Sequence, residues 1–486
     1  MNWKLFCLAG AAMLAGCADM GGLMPQGALR TPDSVPAANA LAGVAPAPWP
    51  ADDWWTRLGD AQLDALIREA MRDNPDLSVA EARMRHAAAQ TGTAAAARLP
   101  ALDANASLPG TLLGGDFPRP ASGYVTARQL NLTGAYAFDL WGGRRAAWEA
   151  ALGRQRAAEV DARAAELTLS TQVAQAYAEL DYAFSAHDVA QADLERARKL
   201  LDLTRQRTQA GIDSLALQRQ AESELAGAGQ KNAQTAQHVE SARIQLAVLL
   251  GQGPDRGLSI ARPQRLDAAE LAVPENLPTG LLGRRPDIVA ARWRVEAARH
   301  DIDAARAQFF PNFSLTAVLG LLSAHTTDLF DAVSRFSLAT PAVSLPLFDG
   351  GRLRANLAGR DAEYDLAVAQ YNKTLIAAFN DVAENLSRLR SLRTQLAAQE
   401  QSLESARQAW ELSLQRYRNG VSGYLETLIL QQALYQAEER LSGILYRRIE
   451  ASINLVRALG GGFRAESAPL ASADVAGPGI AKAKEN

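Results

Sequence analysis

The chain has 486 residues, 48% of them hydrophobic but only 6% aromatic, and its 50 basic and 53 acidic side chains leave a formal charge of −3. That balance excludes the basic stripe on which nucleic-acid binding depends, and the large share of alanine suits closely packed helices better than a bulky aromatic core. Five histidines (His86, His187, His238, His300 and His325) lie scattered without metal-ligand spacing, and no phosphate loop or nucleophile elbow appears, so neither metal, cofactor nor enzyme chemistry is expected.

Lys4 opens a short apolar run, Leu5 to Leu14, too short for a permanent membrane helix and suited to a secretory signal over residues 1–16. The run ends in Leu14-Ala15-Gly16-Cys17, and small residues directly before a cysteine resemble the bacterial lipoprotein signal; an ordinary signal with an incidental cysteine is the alternative. On the lipoprotein reading Cys17 becomes the acylated N-terminus, and Ala18 in place of an aspartate implies delivery to the outer membrane. Cys7 leaves with the signal, so no disulfide is expected. Residues 17–53, rich in Pro, Ala and Gly from Met20 to Pro50, read as a lipid-anchored extended tether.

Asp60 is placed to cap a helix running to Arg98, with Leu63, Leu66, Ile67 and Ala70 on one stripe and an interruption at Pro75. Leu99-Pro100 ends it. From Leu102 the period becomes two: Leu102, Ala104, Ala106 and Leu108 alternate with polar residues, and so do Leu130, Leu132, Tyr136 and Phe138, across a loop around Gly114 to Gly123. This predicts a hairpin over 101–140. No proline interrupts residues 143–208, which allows a helix of about 100 Å. It stops at Gly211, where glycine can take the left-handed conformation, and a return helix follows to about Leu250.

The same order then recurs. Pro75-Asp76-Leu77 returns as Pro286-Asp287-Ile288 and Leu99-Pro100 as Phe310-Pro311, each 211 positions on; Arg207 and Gly211 return as Arg416 and Gly420, 209 positions on. Two repeats are expected, 54–250 and 284–460, joined by a linker over 251–283 and followed by a disordered tail over 461–486. The second holds a hairpin over 312–348, whose Pro341 and Pro346 count against its returning strand, a long helix from about Gly351 to Arg418, and a return helix. In each half the two shorter helices, stacked end to end, match the length of the long one. Asp139, Gly142 and Gly143, like Asp349, Gly350 and Gly351, sit at the strand-to-helix junctions, where the aspartates are candidates for capping.

Four strands cannot close a barrel, and an open sheet edge cannot sit in lipid, so several copies must pool their strands. The segments Phe138-Asp139-Leu140-Trp141-Gly142-Gly143-Arg144-Arg145, Leu345-Pro346-Leu347-Phe348-Asp349-Gly350-Gly351-Arg352-Leu353 and Arg416-Tyr417-Arg418-Asn419-Gly420-Val421 resemble those of the outer-membrane efflux channel family of the TolC and OprM type, and the N-terminus resembles its NodT-like lipoprotein branch. The resemblance runs from about Trp54 to Gly460. It implies an α+β membrane protein, a homotrimer whose twelve-stranded outer-membrane β-barrel, four strands per chain, is continued by a long α-helical periplasmic barrel. It also implies a periplasmic adaptor and an inner-membrane pump of the resistance-nodulation-division type as partners, with the channel a passive exit duct for small toxic compounds.

The resemblance further implies a periplasmic gate at the turns around Gly211 and Gly420. Tyr417 matches a latch position, Leu425 a hydrophobic constriction, and Glu426 a position whose symmetry copies would form a negative ring. Ile429 departs from the family, which often carries a second acid there, and Leu217 stands where the first repeat would have its Glu426. Arg207 and Arg416 are candidates for ion pairs that hold the tips. Two other readings stand beside this one: a duct for type I protein secretion, and a lipid-anchored periplasmic scaffold that conducts nothing. The scaffold leaves the two hairpins unexplained.

Overall fold

The computed structural model describes residues 20–36, 45–113, 123–264, 266, 272–273, 277–323 and 328–465. The signal, Cys17, most of the Gly114–Gly123 loop and the tail from 466 lie outside them. A two-residue strand, β1 (Ala45–Pro46), precedes α1 (Ala61–Asp73), whose first turn is held by the Asp60 carboxylate accepting from the amides of Gln62 (2.7 Å) and Leu63 (3.3 Å). The interruption expected at Pro75 is present: the first helix ends at Asn74. The Asn74 side chain accepts from the Asp76 amide at 2.7 Å and Pro75 fills the first turn, so a second helix, α2 (Pro75–Ala96), starts there.

Next come β2 (Ala101–Ser107), β3 (Gly110–Leu113), β4 (Gly123–Thr126) and β5 (Arg128–Phe138). The pairing of β3 with β4 keeps the register of β2 with β5, so the four form one long hairpin interrupted at Pro109. Then follow α3 (Gly143–Gln209), α4 (Leu215–Leu249), α5 (Asp255–Leu258), β6 (Ala272–Val273), α6 (Leu277–Arg284), α7 (Pro286–Ala307), β7 (Asn312–Ser323), β8 (Arg335–Ser344), α8 (Arg352–Arg418) and α9 (Tyr424–Ala458). β8 stops short of the expected 348, before Pro346. Pro341 is tolerated inside it because β8 is an edge strand.

Three pairs of corresponding helices have equal lengths: 67 residues in α3 and α8, 35 in α4 and α9, 22 in α2 and α7. The shorter ones meet at their ends. Asn74 donates to the carbonyl of Leu249 at 2.8 Å, and Gly251, at φ +72°, lies against the Asp73 carbonyl where a side chain would collide. In the second half Gly460, at φ +93°, lies against the carbonyl of Arg284 in the same way. Alanine lets α3 pack closely: Ala146, Ala150, Ala157, Ala174, Ala183 and Ala197 are buried, and at Gly153 a Cβ would lie 3.1 Å from that of Ala297 on α7.

One core gathers α1, α3 and α4 around Leu63, Ile67, Val173, Tyr177 and Leu246; another gathers α6, α7, α8 and α9 around Ile288, Leu375, Phe379, Val382 and Leu455. The tether differs from a free one: residues 20–36 are docked. Asp365 accepts from the amides of Gln26 (2.9 Å) and Gly27 (2.7 Å), and Asn372 accepts from the Arg30 amide (2.8 Å) while donating to the Ala28 carbonyl (2.9 Å). Met20 and Leu23 pack on Ile302, Phe309, Leu353 and Leu357, and β1 pairs in parallel with β6. Residues 461–465 of the expected disordered tail are ordered, and the rest of it lies outside the described residues. Residues 461–465 form a packed turn in which Ala465 donates to the Gly283 carbonyl at 2.9 Å.

Candidate functional site

β2, β5, β7 and β8 form an antiparallel sheet in the order β2-β5-β7-β8, and among the described residues each outer strand pairs only on its inner side. The register aligns one face across all strands: Ala104, Leu132, Leu319 and Ser337 stand in one row, Phe138, Phe313 and Val343 in another. Leu102, Leu130, Leu132, Leu315, Leu319 and Val343 on this face are exposed, Leu102 by 68% and Val343 by 63%. The opposite face carries Asp103, Asn105, Ser107, Gln129, Asn131, Thr133, Ser314, Thr316 and Thr340. Its Asn131, Thr133, Thr316 and Val318 are partly shielded, and a Cβ at Gly320 would lie 2.6 Å from the Phe336 ring. This face is the more polar of the two, with Leu322 and Leu338 also exposed on it. A two-faced sheet with open edges and no helix covering it is incomplete in water and in lipid alike.

At the junctions beneath, the Asp139 carboxylate accepts from the amides of Arg144 (3.0 Å) and Arg145 (2.8 Å), and Asp349 from those of Gly351 (3.0 Å) and Leu353 (2.9 Å). Gly142, Gly350 and Gly351 have positive φ, which turns the strand into the helix, while Gly143 allows contact with Ala307. Trp141 stacks on Phe310 at 4.8 Å and its indole N–H donates to the Pro311 carbonyl at 2.7 Å.

At the other end the two turns share a backbone: Gly211 (φ +75°) and Gly420 (φ +72°) close them, with Ile212 donating to the Arg207 carbonyl and Val421 to that of Arg416, both at 2.9 Å. Their side chains differ. Arg207 grips Asp213 through two hydrogen bonds, 2.8 and 2.9 Å, which hold the Asp213 carboxyl below its ordinary range and raise Arg207. The second turn has Ser422 at the equivalent position, so Arg416 makes no ion pair among the described residues. Tyr417, 42% exposed, lies 4.8 Å from the ring of Tyr424. Glu426 and Ile429 are exposed on α9, as is Leu217 on α4. Leu425 is instead half-buried against Leu200, Leu201, Ala221 and Leu428 of its own chain.

A further residue emerges only from the structure. Arg196 of α3 is 2% exposed, and its guanidinium donates to Asp193 (2.7 Å), to Glu224 of α4 (2.5 Å) and, at 3.5 Å, to the Leu428 carbonyl of α9. It ties three helices together just above the tip. The signal in the sequence was a charge lodged in the apolar stripe of Ala197, Leu200 and Leu201.

The model of the outer membrane efflux protein family matches residues 66–252 and 277–461. The fusaric acid resistance protein FusA of Burkholderia cepacia is 39% identical over 74% of this chain and 69% of its own length. The multidrug resistance outer membrane protein MdtP of Escherichia coli K12 is 31% identical over 94% of this chain and 96% of its own. Among solved structures, the outer membrane protein VceC of Vibrio cholerae superposes with a TM-score of 0.78 at 35% identity, covering 86% of this chain and all of that one.

Proposed function

Because the chain belongs to the outer membrane efflux protein family, we propose that three copies join their four-stranded sheets edge to edge into one outer-membrane barrel, continued by their long helices into a periplasmic tunnel. The assembly is the outer-membrane channel of a tripartite efflux system, served by a periplasmic adaptor and an inner-membrane resistance-nodulation-division pump. The observation that carries this reading is the sheet: leucines exposed on one face, a more polar opposite face, and both edges open. Only joining β8 of one copy to β2 of the next satisfies the edges, puts leucines against lipid and leaves polar groups around water. The paired sets of equal helices favour two structural repeats per chain. The names of FusA and MdtP report resistance to small molecules, which favours small toxic compounds over secreted proteins as cargo.

The docked N-terminus favours a lipid anchor at Cys17. Met20 and Leu23 pack just below the sheet, and Arg354 donates to the Gly21 carbonyl at 3.2 Å. Cys17 precedes Gly21 by four residues, about 14 Å of extended chain at most, so its acyl groups can enter the membrane at the foot of the barrel. At the tips, the proposed gate sets Glu426 and Ile429 toward the axis, with Tyr417 as a latch; Leu425 supports them from within its own chain.

Purified protein in a planar lipid bilayer is expected to give discrete conductance steps, and Cys17→Ser to conduct equally while losing fatty-acid labelling. A protein without conductance would be the scaffold instead, and continued labelling of Cys17→Ser would refute the anchor.

A further inference from the structure

Residues 20–30 of the tether follow one flank of α8. Met20 and Leu23 pack on the cluster that includes Leu353 and Leu357, the Gln26 and Gly27 amides donate to Asp365, and the Arg30 amide donates to Asn372. The fit is close: a Cβ at Gly27 would lie 3.0 Å from the Asp365 carboxylate and 3.1 Å from Val368. Asp361 stands one helical turn from Leu357 and one from Asp365, so an extended tether joining those two contacts crosses it at Met24 and Pro25.

Asp361 is buried, and its two oxygens accept no hydrogen bond among the described residues. The cation that acts on it from α7 is Arg306, whose guanidinium also lies 3.9 Å from Asp303 of its own helix. On α8 the nearest acting charge is Asp365, of the same sign; Arg360 is taken up by Glu363 at 2.7 Å, and Arg354, two turns away, donates to the Gly21 carbonyl. The tether itself brings no charge to the site, since Met20 to Leu29 contain no titratable side chain. Under the docked tether an ionised Asp361 has neither water nor a hydrogen-bond donor to solvate it, and lifting the tether restores the water.

We propose that Asp361 makes the docking of residues 20–30 on α8 sensitive to pH, tightening it as the surroundings acidify and loosening it as the pH rises. Burial raises the docked carboxyl above its ordinary range, against the opposing charge of Arg306, whereas in the released state the carboxylate meets water. The docked state thus binds the proton more tightly, so docking strengthens as pH falls through the raised value and levels off below the ordinary carboxylate pKa, about 4. The device lies between the proposed anchor at Cys17 and the body of the chain, where it sets the slack between them, and it does not depend on the barrel reading.

The test is hydrogen–deuterium exchange of the intact, detergent-extracted protein, wild type and Asp361→Asn, at about pH 5 and about pH 8, with each rate divided by the intrinsic rate at that pH. Protection of a peptide spanning residues 20–36 is expected to fall roughly tenfold in wild type between the lower and the higher pH, and to stay at its lower-pH level in Asp361→Asn. A core peptide of α3 around Val173 and Tyr177 is expected to keep its protection throughout. A wild-type tether equally protected at both pH values, a fall of the same size in Asp361→Asn, or a matching fall in the α3 peptide would overturn the proposal. So would a tether already unprotected in Asp361→Asn at the lower pH, because the carboxyl would then be supporting the docking rather than opposing it.

Discussion

Tyr417 and Glu426 stand on the turn that lacks the Arg207–Asp213 clamp, so the second tip is held by ring contact and helix packing where the first is held by a two-hydrogen-bond ion pair. Tyr417→Phe or Glu426→Ala is accordingly expected to raise basal conductance or shift cation preference in a planar bilayer; unchanged conductance and ion preference in both would remove the gate from these residues. Asp361 of α8 makes a different kind of test. It is 6% exposed, and neither carboxylate oxygen has a hydrogen-bond partner among the described residues. Burial raises its carboxyl above the ordinary range, outweighing the opposing charge of Arg306, and Asp365 adds to the rise. A raised acid binds its proton more tightly in the folded state, so its contribution is most favourable below the ordinary carboxylate pKa and is lost as pH rises through the raised value. Asp361→Asn is thus expected to stabilise by about 1–2 kcal/mol at pH 8, and to show little gain near about pH 4, in thermal melts of the two proteins.

Among the elements, the strands were written plainly in the sequence because a half-exposed strand needs alternation: Leu130 and Leu132 against Asn131 and Thr133 fix both faces before any contact is known. The long helices were legible for the complementary reason, absence of proline over residues 143–208 with Gly211 at the end. What escaped depends on partners remote in sequence. The break at Pro75 was legible, but the bond from Asn74 to Leu249 was not, and the docking of residues 20–36 is held by Asp365 and Asn372, more than 330 positions away. Arg196 was missed likewise: its burial requires Glu224 and Leu428 to arrive from two other helices. The two faces of the sheet allow a paired substitution. Leu319→Arg sets a charge on the apolar face at a cost of roughly 2–4 kcal/mol near mid-membrane, and is expected to deplete the protein from the outer-membrane fraction. Thr316→Arg, on the more polar face, is expected to insert normally and change conductance. The opposite pattern would mean that the faces have been assigned the wrong way round.

For the whole molecule, the two halves differ where function would need them to and agree where architecture does. The lengths of three helix pairs, the glycine turns and the end-to-end joints coincide, whereas the tips diverge at Asp213 and Ser422, and at Leu217 and Glu426. A single chain leaves apolar leucines and the outer edges of two strands exposed, the surface that the proposed assembly in the membrane would cover. Native mass spectrometry of the protein extracted from membranes in mild detergent tests this most directly. The expected result is a particle of three chains, and a particle of one chain would contradict the account.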